Sequence, residues 1–202
     1  DDDFTDSMGG SDLVIGTGMT TADFSDSIVK KGTKSFKFLN AGTDQGNAGR
    51  YGGKFTTPIN WNTNTICFWS YQYANYDGDK YWNRLFDFGN RSIVLRISGA
   101  GVGVKPFNII LNNNTDIDTS ILCSNATFKD KWVFWSFTLW EEGVDTKISI
   151  YLNGVLQETL TFANESLGFA TTNNVICATD VMSFGFGAYI DDFRIYNSVL
   201  NV

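Results

Sequence analysis

Tyr189-Ile190-Asp191-Asp192-Phe193-Arg194-Ile195-Tyr196-Asn197 is the stretch whose reading decides the fold. Phe193 and Ile195 have one parity, and Arg194 and Tyr196 have the other. That alternation is the mark of a β-strand with one face in a core. An acidic pair, Asp191 and Asp192, stands at its start.

Working outward, strand-like runs recur and Asn, Asp, Gly, Ser and Thr clusters separate them. Pro occurs twice and Gly 20 times, so turns fall to Gly and Asn. The runs are Ser35 to Leu39, Thr65 to Tyr73, Arg84 to Phe88, Ser92 to Ile97 and Phe107 to Leu111. They continue with Trp132 to Trp140, Lys147 to Leu152, Val155 to Phe162, Met182 to Phe186 and Ile190 to Tyr196. Asn153-Gly154 between two alternating runs predicts a tight hairpin. No helical period is sustained over 11 residues. The pattern predicts an all-β fold, a two-sheet antiparallel sandwich. The segments 40–53, 74–83, 98–103, 112–119 and 163–174 read as loops. The 202 residues fit one domain, 1–202.

Composition narrows the function. Hydrophobic residues make up 43% of the chain, enough for a core. The net charge of −7 and the lack of a basic run argue against nucleic acid, whose phosphates need clustered Lys and Arg. No segment approaches the roughly 20 apolar residues of a membrane span, so membrane insertion is not expected. The chain opens on Asp1-Asp2-Asp3 with no Met start or signal peptide. The expectation is a mature fragment or a domain of a larger multidomain protein. Cys67, Cys123 and Cys177 all lie in apolar, strand-like contexts. They read as buried free thiols, with one disulfide plus one free thiol as the alternative.

Four patches, in order, carry a family resemblance. They are Gly32-Thr33-Lys34-Ser35-Phe36-Lys37-Phe38; Ile66-Cys67-Phe68-Trp69-Ser70-Tyr71 with Arg84-Leu85-Phe86-Asp87-Phe88-Gly89; Lys131 to Thr138 with Ile150-Tyr151-Leu152-Asn153-Gly154; and Ile190 to Leu200. The set resembles laminin-G-like (pentraxin-type) domains of the concanavalin A-like lectin/glucanase superfamily. The resemblance implies a jelly roll. It also implies a structural calcium ion (Ca2+), with Asp192 giving a side chain and the surroundings of Gly32 and Asp3 giving carbonyls. Calcium takes 6–8 oxygen ligands, and backbone carbonyls often serve. Relatives of this kind sit in secreted or particle-associated proteins, so the expected location is extracellular. The expected partner is a polysaccharide or glycan.

The chemistry is narrowed further by what the chain lacks. With no His, Ser-His-Asp catalysis, His general bases and His-ligated zinc are excluded. The glucanase pattern Glu-x-Asp-x-x-Glu is also missing. The segment 73–84 combines carboxylates, rings and an Arg. If the domain is an enzyme, Asp77, Asp79 and Asp87 are its candidate catalytic carboxylates, as a glycoside hydrolase or a polysaccharide lyase. Asn75, Asp77 and Asp79 have the alternate spacing of a calcium loop, but Lys80 stands where an EF-hand needs Gly. Sugars present apolar C–H faces to rings and hydroxyls to polar groups. Tyr71, Tyr73, Tyr76, Tyr81, Trp82 and Arg84 are therefore the candidate substrate-binding residues. By parity Trp69, Tyr71 and Tyr73 share one strand face, and Ile66, Phe68 and Ser70 the other. Both faces are apolar, so the sequence leaves open which one a ligand meets. The leading expectation is a carbohydrate-active domain recognising a cell-wall or cell-surface polysaccharide. A wall-degrading enzyme and a protein-adhesion module are the alternatives.

Overall fold

The strands run in chain order as β1 (Leu13–Ile15), β2 (Phe24–Ser25), β3 (Ser35–Phe38), β4 (Gly53–Phe55), β5 (Ile59–Trp61) and β6 (Asn64–Gln72). Next come β7 (Lys80–Tyr81), β8 (Arg84–Phe88), β9 (Ile93–Ile97), β10 (Ala100–Gly101), β11 (Lys105–Leu111) and β12 (Thr115–Cys123). A single-turn helix, α1 (Asn125–Phe128), precedes β13 (Trp132–Glu142), β14 (Asp145–Leu152), β15 (Val155–Phe162), β16 (Phe169–Thr171), β17 (Asn174–Ile176) and β18 (Ala188–Tyr196). The computed structural model describes residues 13–15, 24–38, 53–55, 58–73, 80–81, 83–89, 91–97, 100–101, 103–113, 115–177 and 186–200.

Two seven-stranded antiparallel sheets carry the architecture. The first sheet has the order β1-β4-β17-β8-β9-β11-β12, and the second has β15-β14-β13-β6-β18-β3-β2. Their inner faces meet in an aromatic core. Phe68 of β6 stacks near Trp135 and Phe137 of β13, with ring centroids 6.3 Å apart in both cases. Phe86 and Phe88 of β8 stack at 4.9 Å across from them, and Trp61 stacks on Phe88 at 5.2 Å. Both buried indoles satisfy their N–H groups: Trp135 donates to Ser70 Oγ at 2.9 Å and Trp61 to Thr171 Oγ1 at 2.7 Å. Without those acceptors each ring would bury an unpaired donor, at a cost of about 1–3 kcal/mol.

The two-residue turn Asn153-Gly154 is as expected, with φ of 51° and 80°. The connection from β11 to β12 departs from the expectation. Asn112 and Asn113 have φ of 53° and 56°, and residues 115–119 continue as strand β12 rather than as loop. The strand escaped notice because its outward positions, Asp116, Asp118 and Ser120, carry turn-like residues. Its inward positions, Ile117, Thr119 and Ile121, carry the true signal. Likewise the 163–174 segment contains β16 and the start of β17. Of the expected run Met182 to Phe186, residues 182–185 lie outside the described residues, as does Leu39.

The opening stretch forms β18, and its acidic pair has a geometric role. Register slips by one residue between Asp191 and Arg194 against β6, and Asp192 sits at φ 50°. This is a β-bulge with its extra residue in the left-handed region, which Asp tolerates better than most residues. Ile190 faces the core before the bulge. The inserted residue restores the phase, so Phe193 also faces inward and stacks on Phe68 at 5.3 Å. Asp191 and Asp192 are both left on the outer side.

All three cysteines are free and buried. Desolvation raises the pKa of Cys177 well above the ordinary 9.0. Burial first, and then the nearby Asp192 charge, raise that of Cys67.

Candidate functional site

The core packing of Ile66, Phe68 and Ser70 resolves the choice between the faces of β6. Trp69, Tyr71 and Tyr73 point outward and are half-buried. Neighbouring strands extend that face. Tyr71 pairs with Trp132 of β13 on one side and with Tyr189 of β18 on the other, and Tyr189 pairs with Lys37 of β3. The ring centroids lie 5.6 Å apart for Tyr71–Trp132, 5.9 Å for Tyr71–Tyr189 and 5.5 Å for Tyr73–Tyr189. Interplanar angles of 62°, 77° and 65° make each contact edge-to-face. The result is a corrugated ridge of four rings crossing three strands. The Tyr73 hydroxyl donates to Phe38 O at 2.8 Å, which pins one end.

One level along the strands, Trp69 packs against Phe134 at 5.0 Å. Lys30 Nζ lies 4.2 Å from the Trp69 ring centre. Lys37 Nζ lies 5.7 Å from Tyr73 and 5.9 Å from Tyr189. These are cation–π distances. The next level is a floor of small side chains. Cys67 pairs with Ser136, whose hydroxyl is 1% exposed and finds no hydrogen-bond partner. Beyond it, Thr65 Oγ1 donates to Ser198 O and accepts from Leu200 N, so the 198–200 segment closes that end.

At the opposite end of the level, Asp191 Oδ2 accepts the backbone N–H of Lys30 and of Lys31, each at 2.9 Å. Asp192 meets Lys31 Nζ at 3.1 Å through one oxygen and Arg194 Nη2 at 2.6 Å through the other. These contacts decide how well calcium fits. A divalent cation at Asp192 would sit beside two cations that already hold both its oxygens, so the described residues do not fit calcium there. Asp3, part of the implied set, lies outside them. Gly32, with φ 72°, turns the 28–34 segment back over the pair. No cluster of three or more His, Cys, Asp or Glu gathers among the described residues.

Arg84 and Asp87 do not join the ridge. They belong to β8 in the first sheet, where Phe86 and Phe88 take the core side. Asp87 is 0% exposed. Its Oδ2 takes Arg84 Nη1 and its Oδ1 takes the Arg91 amide at 2.7 Å. Nearby, Arg96 donates to Asn108 Oδ1 at 3.0 Å and to Asp116 at 2.6 Å. Burial lowers the Arg96 pKa, with the Arg91 and Arg84 charges acting in the same direction. A pair this enclosed reads as a brace of the sheet. Tyr76, Asp77, Asp79 and Trp82 lie outside the described residues; Tyr81 falls in the short strand β7. Trp132, Tyr189, Lys30 and Lys37, which share the outer face with Tyr71, are not among the candidates that the sequence alone points to. The parity that links Tyr189 to Tyr71 appears only once the strands are paired.

A polar depression lined by Asn60, Asn62, Thr63, Asn64 and Asn197 lies elsewhere. Asn64 spends its amide there on Asn60 O, Asn197 Oδ1 and Asn62 N.

The comparisons agree with this architecture. The family model Laminin_G_3, described as Concanavalin A-like lectin/glucanases superfamily, matches residues 47–202. No curated protein matches the chain. Among solved structures, domain 4 of AbnA, a GH43 extracellular arabinanase from Geobacillus stearothermophilus, in complex with arabinotriose, is similar at 16% identity and TM-score 0.61. That match covers 98% of this chain and 88% of that one. The botulinum neurotoxin serotype D binding domain is similar at 14% identity and TM-score 0.61, over 94% of this chain and 44% of that one. A heptameric SAP-like pentraxin from Limulus polyphemus is similar at 13% identity and TM-score 0.54, over 81% and 76%. At these identities the likeness shows the fold. The chain spans less than half the length of the toxin binding domains.

Proposed function

The chain belongs to the concanavalin A-like lectin/glucanase superfamily, and from that membership we propose that it is a carbohydrate-binding domain for a cell-wall or cell-surface polysaccharide. The observation that carries the reading is the Trp132–Tyr71–Tyr189–Tyr73 ridge. Four half-buried rings from three strands cover a sheet face that could have been polar. Rings held by neighbours lose little freedom on stacking against the C–H face of a sugar. The hydroxyls of Tyr71 and Tyr189 provide hydrogen-bonding partners beside the rings. The arabinotriose complex of the arabinanase domain supports glycan binding on a fold of this kind. We place the domain in a larger extracellular protein, in keeping with neighbours that are domains of longer chains.

Cleavage of the glycan is the second reading. It rests on Asp77 and Asp79, with Asp87 enclosed in its ion pair. One experiment separates the two. The purified protein is titrated calorimetrically with a panel of wall polysaccharides, and reducing-end release is followed on the same samples. Binding without release, weakened in Tyr71→Ala and in Tyr189→Ala at an unchanged Tm, is the expected result. Each ring removed should weaken binding about 5- to 30-fold, on the scale of about 1–2 kcal/mol for a buried aromatic contact. Full binding by a Tyr71→Ala/Tyr189→Ala protein would refute the ridge. Release abolished by Asp77→Asn or Asp79→Asn would establish catalysis.

A further inference from the structure

We propose that the aromatic ridge selects an acidic glycan, one whose sugars carry carboxylates or sulfates; this rests on the ridge being the glycan site. The chain is acidic, with a net charge of −7, yet this face gathers cations. Lys30, Lys31 and Lys37 come from the segment that crosses it, and Arg194 comes from β18. Among the described residues, the carboxylates of Asp191 and Asp192 lie beside them, and both are spent. Asp191 takes two backbone amides, and Asp192 takes Lys31 and Arg194. The strands that carry Trp69, Tyr71, Trp132 and Phe134 bring no carboxylate to these levels. Lys30 and Lys37 consequently form no ion pair with any described residue.

The placement of those two ammonium groups is what points to an anion. Lys37 is held over Tyr73 and Tyr189, within the ridge itself. Lys30 is held over Trp69, one level away. A ring face beneath an ammonium restricts the long side chain and leaves its other N–H donors pointing away from the ring. The entropy normally lost when a flexible Lys meets a ligand is thereby reduced in advance. Lys30 also covers the Trp69 face, so Trp69 serves as the cation's seat while Tyr71, Tyr189 and Trp132 are left for the sugar. A neutral sugar would use the rings and leave both charges idle. A uronate or sulfated sugar stacked on the ridge would meet one donor within the ridge and a second one level away.

The test uses matched pairs: polygalacturonate and its methyl ester, hyaluronan and its carboxyl-reduced form, and neutral arabinan and mannan, all by calorimetry at 50 and 500 mM NaCl. At least one acid form is expected to bind ten-fold or more tightly than its neutral counterpart, and to weaken as salt rises. Lys30→Gln/Lys37→Gln should remove that preference, so that the acid form binds no more tightly than its neutral counterpart and loses its salt dependence. Tyr71→Ala/Tyr189→Ala should abolish binding of both forms. Equal binding of acid and neutral forms, or binding of arabinan or mannan alone, overturns the anionic preference and leaves the glycan reading standing. Acid-glycan binding that survives loss of both rings, or is matched by an oligonucleotide of similar charge, marks simple ion exchange and overturns it too. If no glycan of either kind binds, both readings fall.

Discussion

Replacing Asp87 with Ala tests whether that carboxylate braces the sheet or serves chemistry. Asp87 is 0% exposed and is held by Arg84 and by the Arg91 amide. Its removal leaves the Arg84 guanidinium, whose side chain is 10% exposed, without this counter-charge. Breaking a buried pair from one side costs about 3–5 kcal/mol. The Arg91 amide loses its acceptor as well, adding about 1 kcal/mol. A loss of about 4 kcal/mol is a large part of the stability of a domain this size, about 5–15 kcal/mol. At about 2–4 °C per kcal/mol, Tm should fall by about 8–16 °C. Urea unfolding followed by Trp fluorescence measures the change, with an unchanged slope showing that the unfolded state is comparable. The double variant Arg84→Met/Asp87→Leu should recover most of the loss, because an apolar pair avoids desolvating two charges. A loss under about 1 kcal/mol in Asp87→Ala, together with loss of a measured glycan-cleaving activity, would refute the bracing argument.

The remaining predictions concern the bulge, the metal and the thiols. At Asp192, φ of 50° makes Asp192→Val costly by about 1–2 kcal/mol, since a β-branched residue resists the left-handed region. Asp192→Gly should stay within about 0.5 kcal/mol, because its exposed ion pairs contribute little; equal losses in denaturant titration would mean the bulge phase is not what holds Phe193. Chelation with EDTA should leave Tm unchanged, since Lys31 and Arg194 already neutralise Asp192. A fall reversed by added calcium would restore the family's metal, because a ligand of the native state must stabilise it. The pKa values of Cys67 and Cys177 are raised in the fold. Their stabilising effect is therefore complete below the unfolded thiol value and is lost as pH rises through it toward the folded values. Stability should decline above about pH 8.5, and a triple Cys→Ala protein should show a flatter alkaline limb in thermal melts.

Much of the fold was legible because strand parity is a local property. Phe193 against Arg194, and Ile66 and Phe68 against Trp69 and Tyr71, announce two faces in any window. The strand at Thr115–Cys123 was hidden because solvent-facing Asp116, Asp118 and Ser120 use the same residues as turns. The candidate site was only half legible. Tyr71 and Tyr73 could be named, whereas Arg84 and Asp87, close to them in sequence, proved to brace the other sheet. Their neighbourhood in the chain was no guide, because β6 and β8 belong to different layers.

The chain by itself determined an all-β sandwich, its turn at Asn153-Gly154 and its superfamily, since each of these follows from residues adjacent in sequence. Only the tertiary structure decided which face of β6 meets solvent, and that Tyr189 and Trp132 flank Tyr71. It also decided that Asp191 and Asp192 hold amides and cations, and that Lys30 and Lys37 sit over rings. Those contacts join strands up to about 160 residues apart. Pairing at that distance is chosen by the burial of the whole core, so no local pattern could reveal it.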